Sequence, residues 1–185
     1  MNVTVSDPPP AQVIDMVVSG EVDVGLIATV NTVHLAESYR SSLHVLNAGE
    51  MPVVVALPPS FASAPPQVSL MELHDLDWIV PKRSLRISGL PELFDTLWEN
   101  LNLTPPVVRR VTTLQTALPL VASGMGAALV PNSARTVANN GVVLREIEEG
   151  VRPLQAGVIW SKNRATSAAT QEMIELLRAG KHIVS

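Results

Sequence analysis

The residues best equipped for chemistry in this sequence are cations and hydroxyls. Pro81-Lys82-Arg83, joined by Arg86, is the densest basic cluster in an otherwise acidic chain. A guanidinium fork grips a carboxylate through two parallel bonds, and a lysine adds a compact charge, so this cluster suits a small anionic ligand. A solvated basic loop is the plainer alternative. Thr112-Thr113-Leu114-Gln115 sets two hydroxyls and an amide ahead of an apolar stretch. Such residues cap a helix or donate to a ligand, and the two roles are compatible. Thr29 stands just past a strand expected over residues 21–27, where its hydroxyl serves a ligand or an ordinary polar turn.

Other chemistries lack their residues. The chain has no cysteine, which removes disulfides, thiolate metal sites and a cysteine nucleophile. His34, His44, His74 and His182 are scattered without metal-ligand spacing. Gly124-Met125-Gly126 follows a helix pattern and precedes a strand pattern, the reverse of a dinucleotide-binding turn. No Gly-x-Ser-x-Gly elbow occurs. Glu146, Glu148 and Glu149 read as a solvated charged run. Trp78, Trp98 and Trp160 are expected in the core, not as ligand platforms. Neither a cofactor nor a metal is expected, and no catalytic residue is assigned.

The elements that must position the cations and hydroxyls alternate between strand and helix. Residues 2–6 read as a strand, residues 11–19 as a helix closed by Gly20, and residues 21–27 as a second strand, together a parallel βαβ unit. Residues 31–49 carry little pattern. Residues 51–57 form an apolar run without alternation, a strand buried on both faces. A helical turn at 69–73, a strand at 77–80, a helix at 91–100 and a strand at 107–111 follow. Pro119 would break a helix starting at Thr113, so the helix is expected to start with Thr116 as its cap, closed by Gly124. Strands at 126–130, 141–147 and 155–161 and a helix at 166–179 complete an α/β chain.

Composition bounds the role. The chain has 185 residues, 13 basic against 17 acidic, with a formal net charge of −4. A surface that coats nucleic acid needs clustered basic residues in excess, so this segment is not expected to bind DNA by itself. Hydrophobic residues make up 46% and charged residues 16%, which excludes a disordered charged chain. No apolar run approaches the roughly 20 residues of a membrane span. The first residues lack the order of a signal peptide, and a cytoplasmic location is expected.

Several segments, in order, resemble the effector-binding domain of LysR-type transcriptional regulators. They are the helix, glycine, acidic pair and strand from Val17 to Ile27, then Glu50-Met51-Pro52-Val53-Val54-Val55-Ala56-Leu57-Pro58. Val68-Ser69-Leu70-Met71-Glu72-Leu73 follows, then Val121-Ala122-Ser123-Gly124-Met125-Gly126-Ala127-Ala128-Leu129-Val130-Pro131, and the final helix near residues 167–178. The resemblance implies an α/β fold of two Rossmann-like lobes joined by two crossover strands, like type 2 periplasmic binding proteins. Lobe I would comprise residues 1–56 and 158–185, and lobe II residues 57–157. The family's winged helix-turn-helix is not in this sequence. Nor is its first strand and helix, so residues 3–6 resemble the second strand and lobe I is expected to be incomplete.

By this resemblance the chain is a non-catalytic sensor that binds a small carboxylate between its lobes. Thr29, Lys82, Arg83, Thr112, Thr113 and Gln115 would face the effector. A homodimer or higher homo-oligomer is implied, with residues 2–6 and 11–19 at its interface, and DNA is reached only through the absent N-terminal domain. A free-standing solute-binding protein and, less well supported, a dehydratase-like enzyme are the alternatives on the same fold.

Overall fold

The computed structural model describes residues 4–138 and 141–179. In chain order these form α1 (Pro10–Ser19), β1 (Val24–Thr29), α2 (Thr32–Ser38), β2 (Leu43–Met51), β3 (Val53–Leu57), β4 (Gln67–Val68), β5 (Trp78–Pro81), α3 (Leu90–Leu101), β6 (Val108–Val111), α4 (Leu114–Ala122), β7 (Ala128–Pro131), β8 (Val143–Ile147), β9 (Leu154–Ser161) and α5 (Ala168–Ala179). Short 3-10 turns follow β3 and β7.

The elements divide into two compact units. The first contains the described residues up to Glu50, Ser84–Ile87 and those from Gln155 onward; the second contains Met51–Arg83 and Ser88–Leu154. Hydrogen bonding explains why β3 falls in the second unit. Val53, Val54, Val55 and Ala56 pair antiparallel with β7, and Val55, Ala56 and Leu57 with β8.

In the first unit, α1 begins where Pro9 offers its carbonyl to the N–H groups of Gln12 and Val13. It ends at Gly20, whose φ of 78° suits a residue without a Cβ. Ile14 and Val17 on its inner face meet Ile27, Leu35, Leu43, Ile87 and Ile159 in one apolar cluster. The parallel βαβ unit expected at the start does not form among the described residues. Asn2 and Val3 lie outside them, as does His182, and residues 4–6 have no strand structure. Instead β1 pairs antiparallel with β9, from Val24 opposite Trp160 to Thr29 opposite Gln155, in a sheet ordered β1-β9-β2. This partner comes from the far end of the chain, so no local pattern announces it.

The second unit is built on the order β4-β8-β3-β7, with β5 and β6 paired parallel and β5 bridged to β7 at Trp78–Ala127. All five residues of β3 are buried, as its unalternated sequence predicts. On one side α4 packs Ala117 and Val121 against Val54, Ile79 and Val130. Trp78 also meets α3 through Phe94 at 5.5 Å and Trp98 at 4.7 Å between ring centroids, a geometry aromatic pairs favour. Trp78 and Trp98 are therefore core residues, whereas Trp160 is half-buried and stacks on His44 at 5.0 Å.

Gly126 fixes how β5 meets β7. Its φ is 143°, and a Cβ there would stand 2.4 Å from the Asp77 carbonyl oxygen. The same oxygen accepts from Ala127 N at 2.8 Å, and Ile79 N donates to the Ala127 carbonyl at 2.7 Å. Only a glycine lets the two backbones close to this distance.

Candidate functional site: the ends of β5 and β6

Parallel pairing brings two of the sequence-derived segments together. Pro81 sits opposite Val111, and the Lys82 N–H donates to the Val111 carbonyl at 2.7 Å. Lys82 is therefore beside the start of Thr112-Thr113-Leu114-Gln115, where β6 gives way to α4. Lys82, Thr112 and Gln115 are exposed and Thr113 half-buried.

Thr113, not Thr116, caps α4. Its hydroxyl accepts from the Thr116 N–H at 3.3 Å, and its carbonyl accepts from Thr116 and Ala117, both at 3.2 Å. Pro119 thus lies inside the helix, contrary to the expectation of a later start. Two features accommodate it: the helix has only nine residues, and Pro119 is exposed, so the backbone bond it forgoes lies toward water. The positive end of the α4 dipole and the backbone of Lys82 therefore share one neighbourhood, so a cationic residue stands beside a helix start, a combination suited to an anion.

The basic cluster of the sequence does not act as one. Arg83 pairs with Asp95 of α3. Arg86 donates to Asp15 at 2.6 Å and to the Tyr39 hydroxyl at 3.0 Å, and the Asp15 bond chiefly raises its pKa above the usual arginine value. Arg109 pairs with Asp77 at 2.6 Å and Arg110 approaches Asp95 at 4.0 Å. Among the described residues, the Lys82 ammonium has no carboxylate within ion-pair distance.

Thr29 belongs to the first unit and is 2% exposed. Its hydroxyl oxygen accepts from the Asn31 N–H at 3.3 Å, in the turn from β1 to α2. Asn31 caps α2 by accepting from Val33 N at 2.9 Å and His34 N at 3.1 Å. Gln155 adds an acceptor for the Thr32 N–H at 2.7 Å and its hydroxyl at 2.8 Å. Asn31, Thr32 and Gln155 are not among the sequence-derived site residues. Asn31 ahead of Thr32-Val33-His34 is an N-cap signal. Gln155 carries none, because its partner is 123 residues away.

Glu149, expected in a solvated run, is half-buried and accepts from the Ser69 hydroxyl at 2.6 Å. Burial pushes its carboxyl up, but bonds from Ser69 and the backbone of Leu70, Glu149 and Met71 outweigh it and hold the pKa below the usual value. No group of three or more potential metal ligands converges among the described residues.

The LysR substrate binding domain matches residues 1–181, nearly the whole chain. The chain belongs to the LysR substrate-binding domain family. The family is one of effector-binding domains and is not enzymatic. The chain's mixed α/β fold is that of LysR effector domains, which are like type 2 periplasmic binding proteins. Full-length CbnR in complex with its target DNA superposes with a TM-score of 0.74 at 15% identity, over 94% of this chain and 58% of CbnR. This LysR domain thus spans little more than half of that regulator. The effector-binding domain of QuiR in complex with shikimate gives a TM-score of 0.71 at 20% identity, over 94% of this chain and 79% of that one. The BenM effector-binding domain with its effector benzoate gives 0.66 at 17%, over 94% and 75%. No curated protein matches the sequence. Among the described residues no helix is long and apolar enough to cross a membrane.

Proposed function

We propose that this LysR domain senses a small anionic metabolite, most simply a carboxylate, held at the ends of β5 and β6. The observation that carries the reading is the Lys82 ammonium, without a carboxylate partner among the described residues, one backbone hydrogen bond from the strand that leads into the Thr113-capped start of α4. Lys82 supplies charge, the Thr112 hydroxyl and Gln115 amide supply directional bonds, and Thr113 holds the helix start in place. Thr29 fixes the turn from β1 to α2. Arg83 is committed to Asp95 and contributes less than its position in the sequence suggests. Shikimate and benzoate are bound by the QuiR and BenM domains, and both are carboxylates, which supports this class of ligand here. The domain would act in the cytoplasm as a homodimer, with DNA contacted by a separate N-terminal domain.

A thermal-shift screen of this chain against small carboxylates tests the reading. A ligand at one hundred times its dissociation constant stabilises the fold by about 2.7 kcal/mol, or roughly 5–10 °C for a domain of this size. Hits confined to neutral or cationic compounds would contradict it.

A further inference from the structure

An exposed sheet edge carries unpaired backbone groups and invites further pairing unless charge, proline, irregular geometry or shortness blunts it. β4 has only two residues, and β6 carries Arg109 and Arg110. β2 contains Glu50 and Gly49, whose φ of 140° departs from regular strand geometry. β7 is bridged to β5. β1 has no such protection. Among the described residues it stands at the outer edge of the order β1-β9-β2, and its sequence, Val-Gly-Leu-Ile-Ala-Thr, holds no charge and no proline.

The direction of its backbone groups is fixed. A Cβ on Gly157 would stand 3.4 Å from the Ile27 carbonyl oxygen, so that oxygen points into β9, where Ile27 is paired with Gly157. Residues along an antiparallel strand alternate between bonding to their partner and facing away from it. Gly25 and Ile27 therefore bond to β9, whereas Val24, Leu26 and Ala28 turn their N–H and C=O groups outward. Exposure follows the same alternation: Ile27 is 3% exposed and Leu26 62%. On the opposite face a Cβ on Gly25 would meet Val13, Val17 and Ile159, so α1 lies over the β1–β9 pair and not over the outer edge.

We infer that two copies of this chain pair through β1, strand against strand, about a two-fold axis at Leu26. Antiparallel pairing centred there sets Leu26 opposite Leu26, and Val24 opposite Ala28 of the other copy, all of them apolar. The three opposed pairs exchange about six hydrogen bonds. Charge selects the antiparallel sense. Asp23 is exposed just before β1, and parallel pairing would set the two Asp23 carboxylates side by side. Antiparallel pairing parts them by about six residues, roughly 20 Å, beyond the range of screened repulsion. Each chain offers one such edge among its described residues, so two copies satisfy each other and the assembly closes. This contact gives the homodimer of the proposed function a defined face and rests on that homodimer alone, not on its ligand. It differs from a contact through residues 2–6 and 11–19.

The test is sedimentation velocity of the whole chain at low and high micromolar concentration, with hydrogen exchange of the β1 amides at both. The wild-type chain is expected to dimerise. The Val24, Leu26 and Ala28 amides should gain protection as the dimer forms, while those of Gly25 and Ile27 are protected throughout. Leu26→Lys sets two ammonium groups face to face on the axis and should weaken dimerisation at least ten-fold. Its circular dichroism should be unchanged, because the side chain replaced is exposed. Mixing Leu26→Lys with Leu26→Glu should restore a one-to-one dimer, as a contact of Leu26 with itself requires. Val18→Lys, at an exposed position of α1, should leave the dimer intact. A dimer lost in Val18→Lys but kept in Leu26→Lys would overturn the inference while keeping the homodimer, with its contact on α1. A monomeric wild-type chain would overturn both. Protected Val24, Leu26 and Ala28 amides in that monomer would mean an edge covered from within the chain, and exchanging ones an edge left to a foreign strand.

Discussion

Gly124 and Gly126 lie two residues apart, both with positive φ, and offer a controlled pair of substitutions. Gly124 has φ 83° and nothing within 4 Å of a built Cβ. Gly124→Ala should therefore cost only the left-handed backbone penalty, about 1–2 kcal/mol. At Gly126, with φ 143°, the added methyl would also meet the Asp77 carbonyl oxygen at 2.4 Å. That oxygen cannot retreat freely, because it holds the Ala127 N–H in the link between β5 and β7. Relieving the overlap adds about 1–3 kcal/mol, typical of overpacking in a filled core. Gly126→Ala should thus melt below Gly124→Ala by roughly 2–12 °C. Urea unfolding followed by circular dichroism, with Trp78 fluorescence reporting the β5 neighbourhood, measures both. Equal losses of stability would refute the close approach of β5 and β7 as the reason for glycine at position 126.

Two further outcomes follow from the polar contacts. Asn31→Ala removes two bonds to the first turn of α2 and should cost about 1 kcal/mol in urea unfolding, whereas Asn31→Asp should retain most of that stability. Glu149 has a folded pKa below its ordinary 4.5, so its contribution is present above that value and is lost as pH falls through the lower folded value. The melting-temperature gap between the wild-type chain and Glu149→Gln should be widest above pH 4.5 and close in more acid solution. A gap independent of pH would contradict the hydrogen-bonded carboxylate.

Legibility in the sequence followed the range of the interactions. Gly20, Leu93, Phe94, Leu97 and Trp98 announce helix ends and faces through local spacing, and each stands where that spacing puts it. The unalternated valines of β3 announce burial on both faces. Pairing across the chain was not legible: β1 met β9 instead of a preceding strand, and Gln155 reached Thr32 over 123 residues. The α4 start is not legible locally, because Pro119 reads as an interior helix breaker and only the folded chain shows that it faces water. For the candidate site, the sequence located the cations but not their partners. Arg83 and Arg86 are neighbours in sequence, yet one is bound to Asp95 and the other to Asp15, and only the folded chain distinguishes them from Lys82.

The most direct test of the anion-sensing account is calorimetric titration of the best carboxylate from the screen into the wild-type chain and Lys82→Ala. Removing a charge-assisted hydrogen bond worth about 1.5–3 kcal/mol should weaken binding by roughly 10–150-fold while the melting temperature of the free protein stays within about 1 °C. Undiminished affinity in Lys82→Ala would contradict the account and move the effector away from the ends of β5 and β6.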